Sequence, residues 1–242
     1  MYKKILFACL INTSCFAATT PQTLVAHSEQ LIVVSTPSWN AVTGNMQRFS
    51  RDSTKHAWHA VGKSIPVVIG KNGMGWDAQL KNTDTQSPIK QEGDSLTPAG
   101  VYAIGPAFGF DKKSNNKLTY FPLTDASVCV DDVKSTYYNQ LIESTSVSKK
   151  DWNSGEQMRQ VPNYQFGAVV QYNTKPMTRG AGSCIFMHIW KSPTSGTAGC
   201  IAMEKPNLLS TLNWLDAKKN PVIAIFPQQV YHNVQSKWKL PV

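Results

Sequence analysis

The chain has 242 residues, of which 41% are hydrophobic and 16% are charged, and its formal net charge is +9. This composition supports a folded core and excludes a disordered chain. The three cysteines that follow residue 17 are too few for a small disulfide-built scaffold. After the amino terminus, no segment approaches the run of about 20 apolar residues that a membrane span needs. The basic residues are spread along the chain instead of clustering with aromatics, so we expect no nucleic-acid partner.

The amino-terminal segment, residues 1–17, has the order of a secretory signal peptide. Lys3 and Lys4 precede a short apolar run, and the small residues Cys15 and Ala17 stand before a predicted cleavage after Ala17. A lipoprotein signal is the weaker alternative, because polar residues and no aliphatic one precede Cys15. Cleavage removes two lysines and no acid, which lowers the formal charge from +9 to +7. We therefore expect an exported protein of the periplasm or cell envelope.

The following residues predict short strands that are separated by turn formers. In chain order, the predicted strands are 30–35, 45–51, 57–61, 65–69, 101–104, 165–171, 183–190, 198–203 and 221–226. The second and third of these are predicted to form a hairpin. Weak helical patterns cover 138–142 and 154–158, and a leucine stripe at 208–215 that is entered through Pro206 predicts a helix. No repeat or linker divides the chain, so we expect one mainly β domain over residues 28–228, followed by a short C-terminal tail, residues 229–242.

Residues 179–203 contain the pattern with the clearest chemical meaning. His188 ends one predicted strand and Cys200 begins the next, with a polar loop between them. An imidazole close to a thiol can activate it, and a neighbouring imidazolium lowers the pKa of the thiol. Gly199 permits close backbone approach beside the thiol, and the backbone N–H groups of Ala198, Gly199 and Cys200 are candidates for an oxyanion hole. Together these features indicate acyl transfer through a thioester.

The same residues also have structural interpretations. A lone cysteine among apolar neighbours is more often a small core residue than a nucleophile, and a lone strand histidine is usually structural. His188 and Cys200, however, flank a glycine-containing loop in a protein that we expect to be exported. An unpaired thiol that is kept in an oxidising compartment favours a catalytic role for Cys200.

Two motifs resemble those of one enzyme family. Ile-Phe-Met-His at 185–188 and Thr-Ala-Gly-Cys-Ile at 197–201 resemble the active-site motif of the L,D-transpeptidase (YkuD-type) catalytic domain. The stretch 93–102, Gly-Asp-Ser-Leu-Thr-Pro-Ala-Gly-Val-Tyr, resembles the Gly-x-x-x-Thr-Pro element of that family. The resemblance covers about 30–226 and implies a mainly β, sandwich-like fold. It also implies that Cys200 is the nucleophile and that His188 is the base, oriented by the backbone carbonyl of Ile189 or its neighbour.

The resemblance further implies that the substrates are peptidoglycan stem peptides. In the family, the cysteine attacks the carbonyl on the L-centre side of an L–D peptide bond and expels D-alanine, and an amine of a second stem or water resolves the thioester. This chain departs from the usual motif because Ala198 replaces a histidine and the loop at 189–199 is short. An L,D-carboxypeptidase or endopeptidase that uses water is therefore an alternative. A non-catalytic wall-binding module is an alternative of a different class.

Further candidate residues are less specific. Arg179 suits a stem-peptide carboxylate, and additional candidates for contact with the peptide are Tyr172, Asn173, Trp190 and Thr197. Arg179 is equally compatible with a role as a surface cation, and Tyr172 and Trp190 are compatible with roles as partly buried core residues. Asp131 and Asp132 predict a solvated turn with local capping. The remaining histidines lack metal-ligand spacing, so we expect no metal and no cofactor.

The cysteines beyond residue 17 allow one disulfide and one thiol. We expect either a bond between Cys129 and Cys184 or three reduced cysteines. A bond between Cys184 and Cys200 is conceivable as an inactive state, because Cys184 and His188 are predicted to share a strand face.

Overall fold

The structure is a computed structural model that describes residues 20–80 and 87–242. The predicted signal peptide, residues 1–17, lies outside the described residues. None of the helices in the described parts of the chain combines the length and the hydropathy of a membrane span.

The described chain is mainly β, which confirms the predicted fold class. The strands are β1 (Gln30–Thr36), β2 (Thr43–Ser50), β3 (His59–Val68), β4 (Met74–Trp76), β5 (Thr97–Gly109), β6 (Tyr120–Pro122), β7 (Ser127–Cys129), β8 (Leu141–Glu143), β9 (Glu156–Gln157), β10 (Phe166–Val170), β11 (Phe186–Ile189), β12 (Ile201–Met203) and β13 (Val222–Pro227). The α-helices are α1 (Pro21–His27), α2 (Lys205–Trp214) and α3 (Gln228–Trp238).

The large sheet closes on itself. Its strands follow the order β10-β11-β12-β3-β2-β1-β13-β5, and β5 also pairs with β10. The long strand β5 makes this closure possible, since residues 100–103 pair with β13 and residues 104–109 pair with β10. The result is a barrel-like sheet whose inner side chains form the main hydrophobic core.

Several predicted strands are confirmed, with changes in their extent. The predicted hairpin forms between β2 and β3, where Ser50 lies opposite His59. The segment predicted as a separate strand at 65–69 is the second half of β3. The short strand predicted at 101–104 is part of the 13-residue β5. The sequence did not indicate this length, because Gly105 and Pro106 are residue types that usually end a strand. In the structure they lie where β5 changes its partner strand.

The helices predicted from weak patterns at 138–142 and 154–158 are wrong. Residues 141–143 form β8 and residues 156–157 form β9, and both pair with β7 in a separate three-stranded sheet. Apolar residues at helical spacing in so short a stretch do not separate helix from strand. We call residues 127–164, which contain this sheet, the insertion.

The leucine stripe forms the predicted helix α2, which buries Leu208 and Leu212. The predicted tail contains α3, and Trp238 of that helix packs in the main core together with Leu240. Trp238 lies 5.4 Å from Phe226 of β13 between ring centroids. The carboxyl-terminal residues therefore contribute to the packing of the barrel.

Candidate active site

His188 and Cys200 lie on neighbouring strands of the barrel. His188 is in β11, and Cys200 directly precedes β12. The two strands are parallel, with His188 opposite Ala202, so residues 190–200 cross over from the end of one strand to the start of the next. Both side chains line one cavity of about 540 Å³. His188 and Cys200 therefore come together at one strand pair, as the sequence predicts.

The ring of His188 is buried and held in one orientation. It is 8% exposed, and its Nδ1 lies 2.7 Å from the carbonyl oxygen of Ile189. Because a carbonyl can only accept, Nδ1 carries the proton in this contact, which leaves Nε2 of the neutral ring as a proton acceptor. The side-chain amide of Asn163 donates to the same carbonyl at 2.9 Å. Burial lowers the pKa of His188 to about 4, although the contact with Ile189 raises it.

Cys200 is a protonated thiol at neutral pH in this structure. Its side chain is free of disulfide bonds and its residue is 6% exposed. Burial raises the pKa of the thiol to about 12, and the charge of Glu156 adds to that rise. The backbone N–H of Phe186 donates to Sγ at 3.3 Å and opposes the rise. The expectation that an imidazolium lowers the pKa of this thiol does not hold here, because burial keeps both groups neutral.

Two threonines fix the turn before the thiol and connect the two sequence motifs. Thr97 of the upstream motif donates to the carbonyl of Gly199 at 2.8 Å. Thr197 donates to the carbonyl of Cys200 at 2.7 Å and accepts from the N–H of Gly199 at 3.0 Å. Gly199 has a φ of 142°, and a Cβ there would lie 2.9 Å from the carbonyl oxygen of Leu96. Glycine is therefore required at this position.

The predicted oxyanion donors differ in their availability. The N–H of Gly199 already donates to Thr197, so it is not free in this arrangement. The N–H of Ala198 has no acceptor within residues 20–80 and 87–242. Ala198 lines the cavity together with Cys200.

Of the five candidates for contact with the peptide, only Thr197 lines the cavity. The guanidinium of Arg179 donates to the backbone carbonyls of Val133 and Ser135, so this arginine anchors a loop. Tyr172 is 1% exposed and packs in the core.

Asn173 and Trp190 also lie outside the cavity lining. The amide of Asn173 donates to the carbonyls of Thr178 and Gly182, which ties together its own loop. Trp190 is partly buried, and its backbone N–H donates to Met203 at 2.9 Å. These two residues support the loops around the site.

Part of the cavity lining comes from the insertion and was missed by the sequence analysis. Tyr164 and Glu156 lie there, and the Tyr164 hydroxyl donates to Glu156 at 2.9 Å. Asp131 also lines the cavity with a buried carboxylate oxygen, contrary to the predicted solvated turn. Asp132 does cap locally, because it accepts from the N–H groups of Lys134 and Asn153. No sequence motif marks these residues, since they lie far along the chain from the two motifs.

The disulfide joins the insertion to the barrel. Cys129 of β7 bonds to Cys184, two residues before β11, which is the first of the two expected states. The carbonyl of Cys184 lies 3.5 Å from the Cys200 Sγ, and Cys184 lines the cavity. Within the described ranges, no three His, Cys, Asp or Glu residues are grouped so that they could hold a metal ion.

Comparison with protein families identifies the class of this domain. Residues 46–223 match the family model of the YkuD L,D-transpeptidase catalytic domain. The chain therefore belongs to this family of cysteine-based enzymes, which act on the peptidoglycan of the cell wall. The matched range includes the upstream motif, His188 and Cys200. Searches of the curated proteins and of the solved structures gave no match.

Proposed function

We propose that this protein is an exported peptidoglycan L,D-transpeptidase in which Cys200 is the nucleophile and His188 is the general base. The main support is the geometry of one cavity, which both side chains line while the contact of Nδ1 with Ile189 leaves Nε2 of His188 as the proton acceptor. Such a nucleophile and oriented base are the elements of covalent acyl transfer.

The reaction begins from a neutral pair. The Cys200 thiol gives its proton to Nε2 of His188 as the S–C bond forms at the carbonyl of an L–D peptide bond. Transfer and attack occur together, because a separated thiolate and imidazolium would be costly in so buried a site. The imidazolium then protonates the leaving D-alanine amine as the C–N bond breaks, which leaves a thioester on Cys200. Resolution by an acceptor repeats these steps in reverse, and the thiol regains its proton.

The oxyanion is the charge that develops on the attacked carbonyl oxygen. The backbone N–H groups of Ala198 and Cys200 are the donors we assign to it, and Gly199 supports the turn instead of donating. Such donors typically contribute about 10²–10³ in rate.

The charges around the cavity favour an amine acceptor. Glu92, Asp131 and Glu156 line it, whereas Lys90 is paired with Asp94 at 2.6 Å. With Lys90 paired, three carboxylates against Lys191 leave an excess of negative charge that attracts an ammonium group, although the protein as a whole is basic. Lys191 is exposed on the cavity lining and suits a stem-peptide carboxylate. Water as the acceptor, which would make the protein an L,D-carboxypeptidase or endopeptidase, is the alternative.

Export is supported by the order of residues 1–17 and by the disulfide between Cys129 and Cys184. Disulfides of this kind persist in oxidising compartments such as the periplasm. A location in the cell envelope is also supported by the family, because its members act on the cell wall.

The test is mass spectrometry of purified muropeptides after incubation with the mature protein and with Cys200→Ala. We expect products from the wild type alone, with Cys200→Ala folded by circular dichroism and at least 10³-fold slower. A cross-linked dimer or an exchanged D-amino acid identifies an amine acceptor, whereas loss of one D-alanine without a dimer identifies water. Equal product from both proteins would refute Cys200 as the nucleophile.

A non-catalytic wall-binding module is the second candidate, and the raised pKa of the Cys200 thiol is the observation that favours it. That function predicts no product from either protein together with retention of the protein on insoluble peptidoglycan. Cys200→Ala would then bind the wall as well as the wild type.

A further inference from the structure

Tyr164 occupies a central position beside both proposed catalytic residues. It lies in the short 3-10 turn Pro162–Gln165 that leads into β10, and it is 4% exposed. Its ring packs edge-on against His188 at 5.0 Å and against Phe186 at 5.5 Å between centroids. A third edge contact, to Phe108 at 5.8 Å, completes the enclosure of the ring. These contacts hold the hydroxyl in one place.

The hydroxyl of Tyr164 has one proton to donate, and both the Glu156 carboxylate and the Cys200 sulfur line the same cavity. It donates to Oε1 of Glu156 at 2.9 Å. It also lines the same cavity as the Cys200 thiol, and its interaction with the thiol lowers the pKa of that thiol against the effect of burial. Because a phenol carries a single hydrogen, the carboxylate and the sulfur compete for it.

We propose that Tyr164 is a positioning residue that hydrogen-bonds the Cys200 sulfur and supports it as it becomes a thiolate, while Glu156 competes for the same hydroxyl proton. The inference rests on the proposed role of Cys200 as the nucleophile. The Tyr164 proton is shared with the sulfur and is not transferred, so the proton balance between Cys200 and His188 is unchanged. With the backbone N–H of Phe186, the hydroxyl gives the thiolate two donors.

Glu156 acts on the sulfur in the opposite direction. When ionised, it takes the Tyr164 hydrogen bond, and its negative charge raises the pKa of the Cys200 thiol. Burial raises the pKa of Glu156 itself, and the nearby charge of Asp131 adds to the rise. Lys90 on the same cavity lowers the pKa of the thiol, but its amine is tied to Asp94. Tyr164 and Glu156 should therefore change the reactivity of one sulfur with opposite signs.

The experiment measures the rate at which iodoacetamide alkylates Cys200 in the full mature protein, from pH 5 to pH 10, by intact-protein mass spectrometry. The variants are Tyr164→Phe and Glu156→Gln, which keep the ring and the side-chain volume. We expect Tyr164→Phe to slow alkylation at pH 7 about tenfold and to displace the rising limb of the pH profile towards higher pH, because it removes a hydrogen bond to a charged group. We expect Glu156→Gln to speed alkylation about threefold and to displace the rising limb towards lower pH.

The matched controls are Tyr120→Phe, whose hydroxyl donates to the Asp111 carbonyl away from the cavity, and Glu204→Gln on the surface. Both should leave the alkylation profile unchanged. Shifts of the same sign in Tyr164→Phe and Glu156→Gln would show a general loss of packing and would overturn the proposal, as would an unchanged profile in Tyr164→Phe. Alkylation needs no peptidoglycan, so its result is separate from that of the muropeptide assay.

Discussion

The cavity is built from two regions that differ in regularity. Residues 183–200 belong to the barrel, where the pairing of β11 with β12 fixes His188 relative to the Cys200 turn. The insertion contributes Glu156 and Tyr164 from a two-residue strand and a short 3-10 turn. The comparison teaches that the groups which exchange a proton lie in or directly beside the paired strands of the barrel, whereas the side chains that adjust the pKa of the thiol come from short elements of the insertion. Substitutions of the proton-exchanging groups in the barrel should therefore abolish the reaction, and substitutions in the insertion should change its rate by smaller factors.

His188→Ala tests the barrel side of this comparison and has the largest expected effect. Loss of the base should lower kcat/KM about 10²–10⁴-fold, because the thiol then has no oriented proton acceptor. Kinetics on muropeptides measures the loss, and His59→Ala, an exposed strand histidine, is the matched control. Activity within threefold of the wild type would remove His188 from the mechanism.

The pH profile sharpens the same point without a substitution. The pKa of His188 lies near 4, and only the neutral ring accepts a proton. The activity kcat/KM should therefore persist well below pH 6.5 and fall about tenfold per pH unit only below about 4. An acid limb centred at pH 6 to 7 would contradict a buried neutral imidazole as the base.

Removal of the disulfide breaks the connection between the two regions. Cys129 and Cys184 are 55 residues apart, and opening a loop of that length lowers the free energy of unfolding by about 4 kcal/mol in the chain-entropy account. The double variant Cys129→Ala/Cys184→Ala should melt at a lower temperature and lose activity several-fold while Cys200 remains reactive. Calorimetry and alkylation measure the two effects. A melting temperature equal to that of the wild type would show that the insertion is held by other contacts.

Arg179→Ala should have the smallest effect on catalysis. Its guanidinium anchors residues 133–135 and lies outside the cavity lining, so kcat/KM should change by less than about threefold. A rise in KM of tenfold or more, with the melting temperature unchanged, would return Arg179 to the peptide-binding role expected from the sequence.

The predictability of the two regions follows from the range of their interactions. The motif around His188 and Cys200 is local, and its glycine and threonine requirements are visible as residue types. The mainly β pattern and the leucine stripe of α2 are periodic, so they also could be predicted. The insertion could not, because the placement of Tyr164 depends on aromatic contacts with β5 and β11. Burial, which reverses the expected pKa of Cys200, is likewise a property of the assembled fold.

The most direct test of the account is intact-protein mass spectrometry during turnover of a stem tetrapeptide that ends in D-alanine. The account predicts a single adduct on Cys200 with the mass of the acyl tripeptide, absent from Cys200→Ala and strongly reduced in His188→Ala. Release of D-alanine by Cys200→Ala, or an acyl adduct on any other residue, would contradict it.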